Sequence, residues 1–414
     1  MNPIQNTRWR PDQAVPDAFP GRSRFMMPRG TTPPVPPDAI QRIWQKILTT
    51  PWHGEGAAYL HIPFCITHCL FCGFYRNHWR EEDGASYTDR IIDELAYEHE
   101  QRQGDGTINA VYFGGGTPTA LATADLVRLI TACKRYLPLT DDCEITLEGR
   151  ISHFDPDKAQ ACIDAGINRI SIGIQSFDDH IRKRMGRKHS GDEAWHYLQQ
   201  MSALDCVVVA DLIYGLPLQS VRTFSRTLEQ IRALAPDRLA VFNYAHMPHI
   251  FGAQKQINAA DLPDAATKLQ LLQATIEQLT GGGYEFIGLD HFALPGDSLV
   301  RHQREGTLYR NFQGYSTFSE CELLGFGISA ISMLDGCYSQ HEKARSRYYQ
   351  ALDNGAIPVM RGIELSRDDR IRHHVITEIM CNLRLDLAAV SARWQINAPD
   401  YFAREWQALQ PLAA

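Results

Sequence analysis

Residues 59–74 read YLHIPFCITHCLFCGF, and this stretch places three cysteines directly after a short apolar run. Cys65, Cys69 and Cys72 have a C-x3-C-x2-C spacing, so three thiolates share one short loop. Thiolates this close can bind a single metal centre, either zinc or an iron–sulfur cluster. A structural zinc site needs further ligands, and no Cys or His pair follows at zinc-ribbon spacing. The spacing favours an iron–sulfur cluster; unrelated buried thiols, and His68 as a fourth ligand, are the alternatives.

Three cysteines on a [4Fe–4S] cluster leave one iron without a protein ligand. This arrangement resembles the radical S-adenosylmethionine (SAM) enzymes, in which the amino and carboxylate groups of SAM chelate the open iron. One electron then cleaves SAM and releases a 5′-deoxyadenosyl radical. The remaining seven cysteines are scattered, so we predict one cluster; they are Cys133, Cys143, Cys162, Cys206, Cys321, Cys337 and Cys381.

Composition narrows the class of protein. The chain has 414 residues, a hydrophobic content of 44% and a formal net charge of −7. The length allows about two to three domains, or one large α/β domain with an appendage. The acidic balance disfavours nucleic acid as a partner, and no apolar run approaches the roughly 18 residues that a membrane helix needs. Ten cysteines without a signal peptide indicate a reducing compartment. We therefore expect a cytoplasmic monomer with no nucleic-acid or membrane partner.

Strand and helix patterns alternate from residue 57 onward. The predicted strands are Ala58–Ile62, Ile108–Phe113, Glu144–Glu148, Asn168–Gln175, Val207–Tyr214 and Arg238–Tyr244. The predicted helices are Ser86–Gln103, Leu121–Tyr136, Pro156–Ala165, Asp192–Leu204 and Ser220–Leu234. Such alternation implies parallel pairing with right-handed crossovers, as in a β/α barrel or an open portion of one.

The flanking regions are less regular. Residues 1–50 form a Pro-rich arm with one predicted helix at Ala39–Leu48, and residues 51–250 form the barrel core. Residues 251–341 complete the barrel and supply substrate-side segments. Within them, a helix at Thr267–Leu279 and a strand at Tyr284–Leu289 precede a polar, loop-like stretch over residues 295–320. Residues 342–414 are expected to form a smaller, mostly helical C-terminal domain.

Polar motifs follow the predicted strands. Gly114, Gly115, Gly116 and Thr117 end one strand, and glycines let backbone approach a ligand closely. Bare carbonyl groups there can accept hydrogen bonds from an ammonium group. No phosphate-loop pattern is present, and a plain tight turn is the alternative.

Single polar residues end three further strands. Glu148, Gln175 and Asp211 lie where a β/α barrel presents ligand-binding side chains. Each alone is nearly as consistent with a structural polar residue; together with the cysteines they favour a ligand site. Arg187 lies in a basic stretch that is either a solvated helix face or the source of a bidentate contact to the SAM carboxylate.

The run YLHIPFCITHCLFCGF, the turn GGGTPT and the stretches IGIQSF and DLIYGLP together resemble a known family. They are similar to the radical SAM tetrapyrrole family of oxygen-independent coproporphyrinogen III oxidases (dehydrogenases) and their relatives. PDRLAVFNYAHMP, FIGLDHFALP and REGTLYRNFQGYST resemble the dehydrogenase. CITHCLFCGFYRN and CEITLEGR are more similar to the anaerobic heme-utilisation methyltransferases, and Phe74 stands where the dehydrogenase has a further cysteine.

The resemblance implies a radical SAM partial (β/α)6 TIM-type barrel. It implies Cys65, Cys69 and Cys72 as ligands of one [4Fe–4S] cluster. It implies SAM contacts from Tyr59, Phe71, Gly115, Gly116, Thr117, Glu148, Gln175, Arg187 and Asp211. Tyr59 and His61 become candidate catalytic residues near the cluster. Ala245, Gln313 and Ile331 match positions that line a second SAM site.

The implied function is oxidative decarboxylation of two coproporphyrinogen III propionates to vinyl groups, giving protoporphyrinogen IX. The implied electron donor is a reduced flavodoxin or ferredoxin. One alternative is heme ring opening with methyl transfer. Another is a heme-binding chaperone, with His246, His249 or His291 as candidate axial ligands.

Overall fold

The computed structural model describes residues 51–73, 77–311, 314–317 and 321–410. The predicted N-terminal arm lies outside the described residues, as do Phe74 and Gln313.

The described strands are, in chain order, β1 Glu55–Ile62, β2 Phe64–Cys65, β3 Asn77–His78, β4 Thr107–Gly115, β5 Leu139–Gly149, β6 Arg169–Gln175, β7 Val207–Tyr214, β8 Arg238–Asn243, β9 Glu285–Gly288, β10 His291–Ala293, β11 Tyr309–Asn311, β12 Gly314–Ser316, β13 Glu322–Phe326, β14 Ile331–Leu334, β15 Cys337–His341 and β16 Val359–Glu364. The helices are α1 Glu81–Gln101, α2 Thr123–Tyr136, α3 Pro156–Ala165, α4 Asp179–Arg184, α5 Gly191–Met201, α6 Val221–Leu234, α7 Ala265–Gly281, α8 Ser298–Glu305, α9 Arg345–Asp353, α10 Arg367–Asn382, α11 Leu387–Trp394, α12 Ala398–Tyr401 and α13 Ala403–Leu409.

One large sheet organises these elements. Its strand order is β16-β15-β14-β13-β1-β4-β5-β6-β7-β8-β10-β9. The six strands β1 and β4 to β8 pair in parallel and in chain order, as βαβ crossovers require. β13 adds a seventh parallel strand beside β1, and antiparallel strands extend both ends. The predicted partial (β/α)6 barrel is confirmed, and β16 and β9 form the two ends of the sheet within the described residues.

Alternation along the strands separates an apolar face from a polar face. Side chains such as Leu60, Val111, Leu147 and Ile170 are fully buried against the surrounding helices. Local signals start and stop these helices. In α3, the Asp155 side chain accepts the Lys158 N–H at 2.8 Å, Pro occupies the first turn, and a glycine ends the helix.

The inner face of the barrel carries charge at its floor. Arg169 Nη1 lies 2.6 Å from Glu144 Oε1. Arg238 bridges from Glu144, at 3.1 Å, to Asp297, at 2.6 Å. These largely buried charges are paired across three strands, which offsets the cost of removing them from water.

Two stretches differ from the sequence expectations. Residues 295–320 are not simply a loop, because they contain α8 and the hairpin strands β11 and β12. Asp297 caps α8 by accepting the Leu299 N–H at 2.7 Å, and Gly306, with a φ of 71°, ends it. The C-terminal region is mostly helical as predicted, yet β16 joins it to the edge of the sheet.

Among the described residues, no helix is both long and apolar enough to cross a bilayer.

Candidate cluster and cofactor site

The cysteine loop leaves the end of β1 and is closed by a short parallel pair, β2 with β3. The Trp79 N–H donates to the Cys65 carbonyl at 3.2 Å, which fixes the start of the loop. A turn follows, in which the Cys72 N–H donates to the Cys69 carbonyl at 3.2 Å. All three thiols are partly buried. The loop therefore presents them at the end of a barrel strand without sealing them in the core.

Side chains that the sequence did not single out hold this loop from outside. Arg150 Nη1 donates to the Thr67 carbonyl at 3.2 Å. Gln254 Nε2 donates to the Phe71 carbonyl at 2.9 Å. Neither contact has a local sequence signal, because the partners are 83 and 183 residues apart in the chain.

The glycine turn after β4 packs directly on the cysteine loop. The Gly116 N–H donates to the Ile62 carbonyl at 2.8 Å, and the Thr117 N–H donates to the Phe64 carbonyl at 2.7 Å. The Thr117 hydroxyl donates to the Cys65 sulfur at 3.6 Å. The predicted turn and the predicted cluster loop are thus one structural unit.

Two of these glycines have no room for a side chain. Gly115 has a φ of +111°, and a Cβ there would lie 2.7 Å from the His61 ring. A Cβ at Gly116 would lie 2.5 Å from the Phe64 carbonyl oxygen. Both positions require glycine for close backbone approach, which explains their place in the motif.

Tyr59 and His61 lie together on the inner face of β1. The Tyr59 hydroxyl is 3.1 Å from His61 Nδ1, and the Tyr59 ring stacks on Tyr112 at 6.2 Å. Burial lowers the pKa of His61 to about 4 and raises the pKa of Tyr59. Both groups are therefore uncharged at neutral pH.

Two partly buried carboxyl groups lie near each other, Glu148 on β5 and Asp211 on β7. The Tyr112 hydroxyl donates to Glu148 Oε1 at 2.8 Å, and the Ser171 hydroxyl donates to Asp211 at 3.3 Å. Burial raises the pKa of Glu148. Burial, together with the charge of Glu148, raises the pKa of Asp211 to about 8. Such a pair lacks full compensation in the protein and suits a ligand that carries hydroxyl or ammonium donors.

Arg187 provides the complementary charge. Its guanidinium lies over the Phe71 ring at 5.6 Å and near the Cys69 and Cys72 thiols. Burial lowers the pKa of this guanidinium, and the two thiols oppose that shift.

Several polar atoms at this site have no hydrogen-bond partner within the described part of the chain. They are Nε and Nη1 of Arg187 and Oε1 of Gln175, whose backbone φ of +71° turns it at the end of β6. Buried donors and acceptors without partners are costly unless a ligand satisfies them. A guanidinium beside two carboxyls and an amide fits the carboxylate, ammonium and ribose hydroxyls of SAM, and the adjacent thiols are ligands that iron–sulfur clusters take.

The remaining predicted residues are less closely assembled. Ala245 is exposed just after β8, and its carbonyl accepts from Gln254 at 3.2 Å. The Ile331 backbone crosses close to Gly325, which pairs with Tyr59.

The three candidate heme ligands differ in their surroundings. His246 Nδ1 bonds the Tyr244 hydroxyl at 3.0 Å, His249 is exposed, and His291 Nδ1 bonds Asp290 at 2.5 Å. Within the described ranges, no three His, Cys, Asp or Glu side chains stand as ligands of a single metal ion. Cysteines of a four-iron cluster bind different irons, so they need not meet around one point.

Comparison with known proteins gives the family of this chain. Residues 59–231 match the model of the radical SAM superfamily. The oxygen-independent coproporphyrinogen III oxidase of Salmonella typhimurium is 43% identical over 361 residues, covering 86% of this chain and 78% of the relative. The Pseudomonas aeruginosa protein of the same name is 38% identical over 360 residues, with the same coverage.

A solved structure agrees as well. Coproporphyrinogen III oxidase (HemN) from Escherichia coli, described as a radical SAM enzyme, superposes with a TM-score of 0.85 at 39% identity. The match covers 90% of this chain and 86% of that one. This chain belongs to the oxygen-independent coproporphyrinogen III oxidase family.

Membership in this oxidase family makes the chain a radical SAM oxidoreductase that uses a [4Fe–4S] cluster and SAM. A match over 86% of the chain spans both its halves, so the cluster half and the substrate half belong to one oxidase-like sequence. Phe74, on which the heme-utilisation resemblance partly rested, lies outside the described residues.

Proposed function

We propose that this protein converts coproporphyrinogen III to protoporphyrinogen IX without oxygen. Each of two propionates loses one β-hydrogen atom, CO2 and one electron, and becomes a vinyl group. The observation that carries the proposal is the packing of Thr117 and Arg187 against the cysteine loop, in a chain 43% identical to enzymes of that name.

In this proposal the cluster and SAM, when bound, supply the radical that takes the β-hydrogen atom. Cys65, Cys69 and Cys72 hold the cluster. Arg187 binds the SAM carboxylate, and the bare backbone of the glycine turn accepts from the SAM ammonium group. Because Tyr59 and His61 are neutral and buried, they shield the reacting face without adding charge there.

The proposal includes two finer assignments. A second SAM is bound beside Ala245, Ile331 and Gln313, and a reduced flavodoxin or ferredoxin delivers the electron. Exposure of Ala245 next to Gln254, which bonds the cysteine loop, supports a second ligand at this side of the barrel.

The test is anaerobic turnover of the reconstituted protein with SAM and a reductant. Coproporphyrinogen III and heme are offered in parallel, and products are read by mass spectrometry. Loss of two CO2 from coproporphyrinogen III is expected. A methylated, ring-opened heme product, or stoichiometric heme binding without SAM cleavage, would refute the proposed substrate.

A matched pair of cysteine variants tests the cluster itself. Cys69→Ala is expected to abolish SAM cleavage and to lower bound iron. Cys206→Ala, at a partly buried cysteine at the opposite end of the barrel before β7, should retain both. Equal cleavage by the two variants would overturn the assignment of Cys69.

A further inference from the structure

A single buried glutamine joins the cysteine loop to the segment after β8. Gln254 is 1% exposed and lies in a short 3-10 helix, Gly252–Gln256. Its amide nitrogen donates to the carbonyls of Phe71, at 2.9 Å, and Ala245, at 3.2 Å. Its amide oxygen accepts the Met247 N–H at 2.6 Å. All three bonds go to backbone groups, so the side chain works as a three-way anchor.

The anchor acts on the part of the loop that carries two cluster cysteines. Phe71 lies between Cys69 and Cys72, so its carbonyl sits one residue from a predicted ligand. The Phe251 ring closes on the other side, since a Cβ at Gly73 would lie 2.6 Å from that ring. Gln254 and Phe251 therefore contact the loop on the two sides of Cys72.

The chemistry of glutamine suits this position closely. Two carbonyls need two donors and one N–H needs an acceptor, and a primary amide supplies both from a single planar group. A carboxylate would face two carbonyl oxygens and repel them. A methionine of similar length would remove the partner of two carbonyls and one N–H at once, and would place an apolar side chain among these polar groups.

We propose that Gln254 is a positioning residue that orients the Phe71–Cys72 part of the loop, and thereby the cluster face that SAM approaches. The inference rests on the cluster of the proposed function and not on the identity of the tetrapyrrole. Gln254 contacts neither the cluster nor substrate in this role; it acts through the Phe71 carbonyl.

The experiment compares Gln254→Met with Gln256→Met after anaerobic reconstitution. Gln256 is exposed in the same short helix, so it controls for methionine at that place. Iron loss to a ferrous chelator and the electron paramagnetic resonance spectrum of the reduced cluster, with and without SAM, are recorded. Circular dichroism checks the fold of each apo protein.

For Gln254→Met we expect iron to be released about tenfold faster than from wild type. This corresponds to an activation free energy of release that is lower by about 1.4 kcal/mol. We also expect an altered spectrum of the SAM-bound cluster, a readout that a merely structural residue would leave unchanged. Gln256→Met should match wild type in both. If the methionine variant does not fold, Gln254→Asn takes its place. Asparagine keeps the amide but is one methylene too short to reach both carbonyls, so we expect the same changes in a milder form.

Wild-type iron release and an unchanged SAM-bound spectrum in a folded Gln254 variant would overturn the proposal. Equal changes in Gln254→Met and Gln256→Met would do so as well. Failure of the proposed substrate is separate, because it appears as missing tetrapyrrole product from wild type, while these readouts use no tetrapyrrole.

Discussion

Glu94 offers a stability prediction that the structure makes quantitative. This residue of α1 is 3% exposed, and its Oε2 accepts the Gly327 N–H at 2.9 Å and the Tyr348 hydroxyl at 2.5 Å. The titratable groups around Glu94 are Tyr87, Glu98, His341 and Tyr348. Arg90 and Asp93 line a cavity of about 210 Å³ beside it. Burial raises the pKa of Glu94 from 4.5 to about 7.

The sign of the effect follows from proton binding. Because the pKa is higher in the folded state, the folded protein holds the Glu94 proton at pH values where the unfolded chain has lost it. The contribution to stability is complete below about pH 4.5 and is lost as the pH rises through about 7. A shift of this size corresponds to about 3 kcal/mol of unfolding free energy at about 1.36 kcal/mol per pKa unit.

The perturbation is Glu94→Gln, since glutamine resembles the protonated acid and still accepts from Gly327. We expect Tm of wild type to fall between pH 5 and pH 8 more steeply than Tm of the variant, so that the variant gains relative stability as pH rises. Glu98, whose pKa burial also raises to about 7, keeps part of the dependence in the variant. Differential scanning fluorimetry of the apo protein across this pH range measures both curves.

The matched control is Glu100→Gln, because Glu100 is an exposed residue of the same helix. Its curve should run parallel to that of wild type. The reasoning about Glu94 is refuted if the Glu94→Gln curve is also parallel to wild type, with a constant offset from pH 5 to pH 8.

Three further predictions concern the site and its support. Arg187→Ala should weaken SAM binding by about tenfold or more, measured by calorimetry with the reconstituted protein. The control Lys188→Ala, at the exposed neighbouring residue, should bind SAM as wild type does. Equal SAM affinities of the two variants would remove the role of Arg187. Gly115→Ala should abolish SAM cleavage and lower Tm. The control Gly281→Ala, where a Cβ has no neighbouring atom within 4 Å, should keep the SAM cleavage and the Tm of wild type. Retained SAM cleavage in Gly115→Ala would contradict the packing argument. Tyr87→Phe, which removes a buried hydroxyl bonded to two backbone groups, should cost about 1–3 kcal/mol in denaturant unfolding, and a loss below 0.5 kcal/mol would contradict it.

Regular elements were predictable where local chemistry is strong. α3 begins and ends at the predicted residues because Asp155, Pro156 and Gly166 mark its ends. β7, Val207–Tyr214, also has the predicted bounds, since a β-branched run between a helix pattern and Gly215 has few other conformations. α8 was missed because it is only eight residues long and has just two apolar residues, Leu299 and Val300, which are adjacent and show no helical repeat.

The sequence by itself determined the cysteine spacing, the glycine turn and the six-strand alternation, because each depends on residues close together in the chain. The sequence also singled out the polar residues at the strand ends, and the family resemblance added their expected role in binding SAM. The fold brings Glu148, Gln175, Arg187 and Asp211 to one end of the barrel. Tertiary structure alone decided what holds the site in place. Gln254 reaches Phe71 across 183 residues, and the groups that hydrogen-bond the buried Glu94 carboxyl, and so oppose the rise in its pKa, lie 233 and 254 positions away. No local pattern encodes such contacts, because burial and hydrogen-bond partners exist only after distant segments pack.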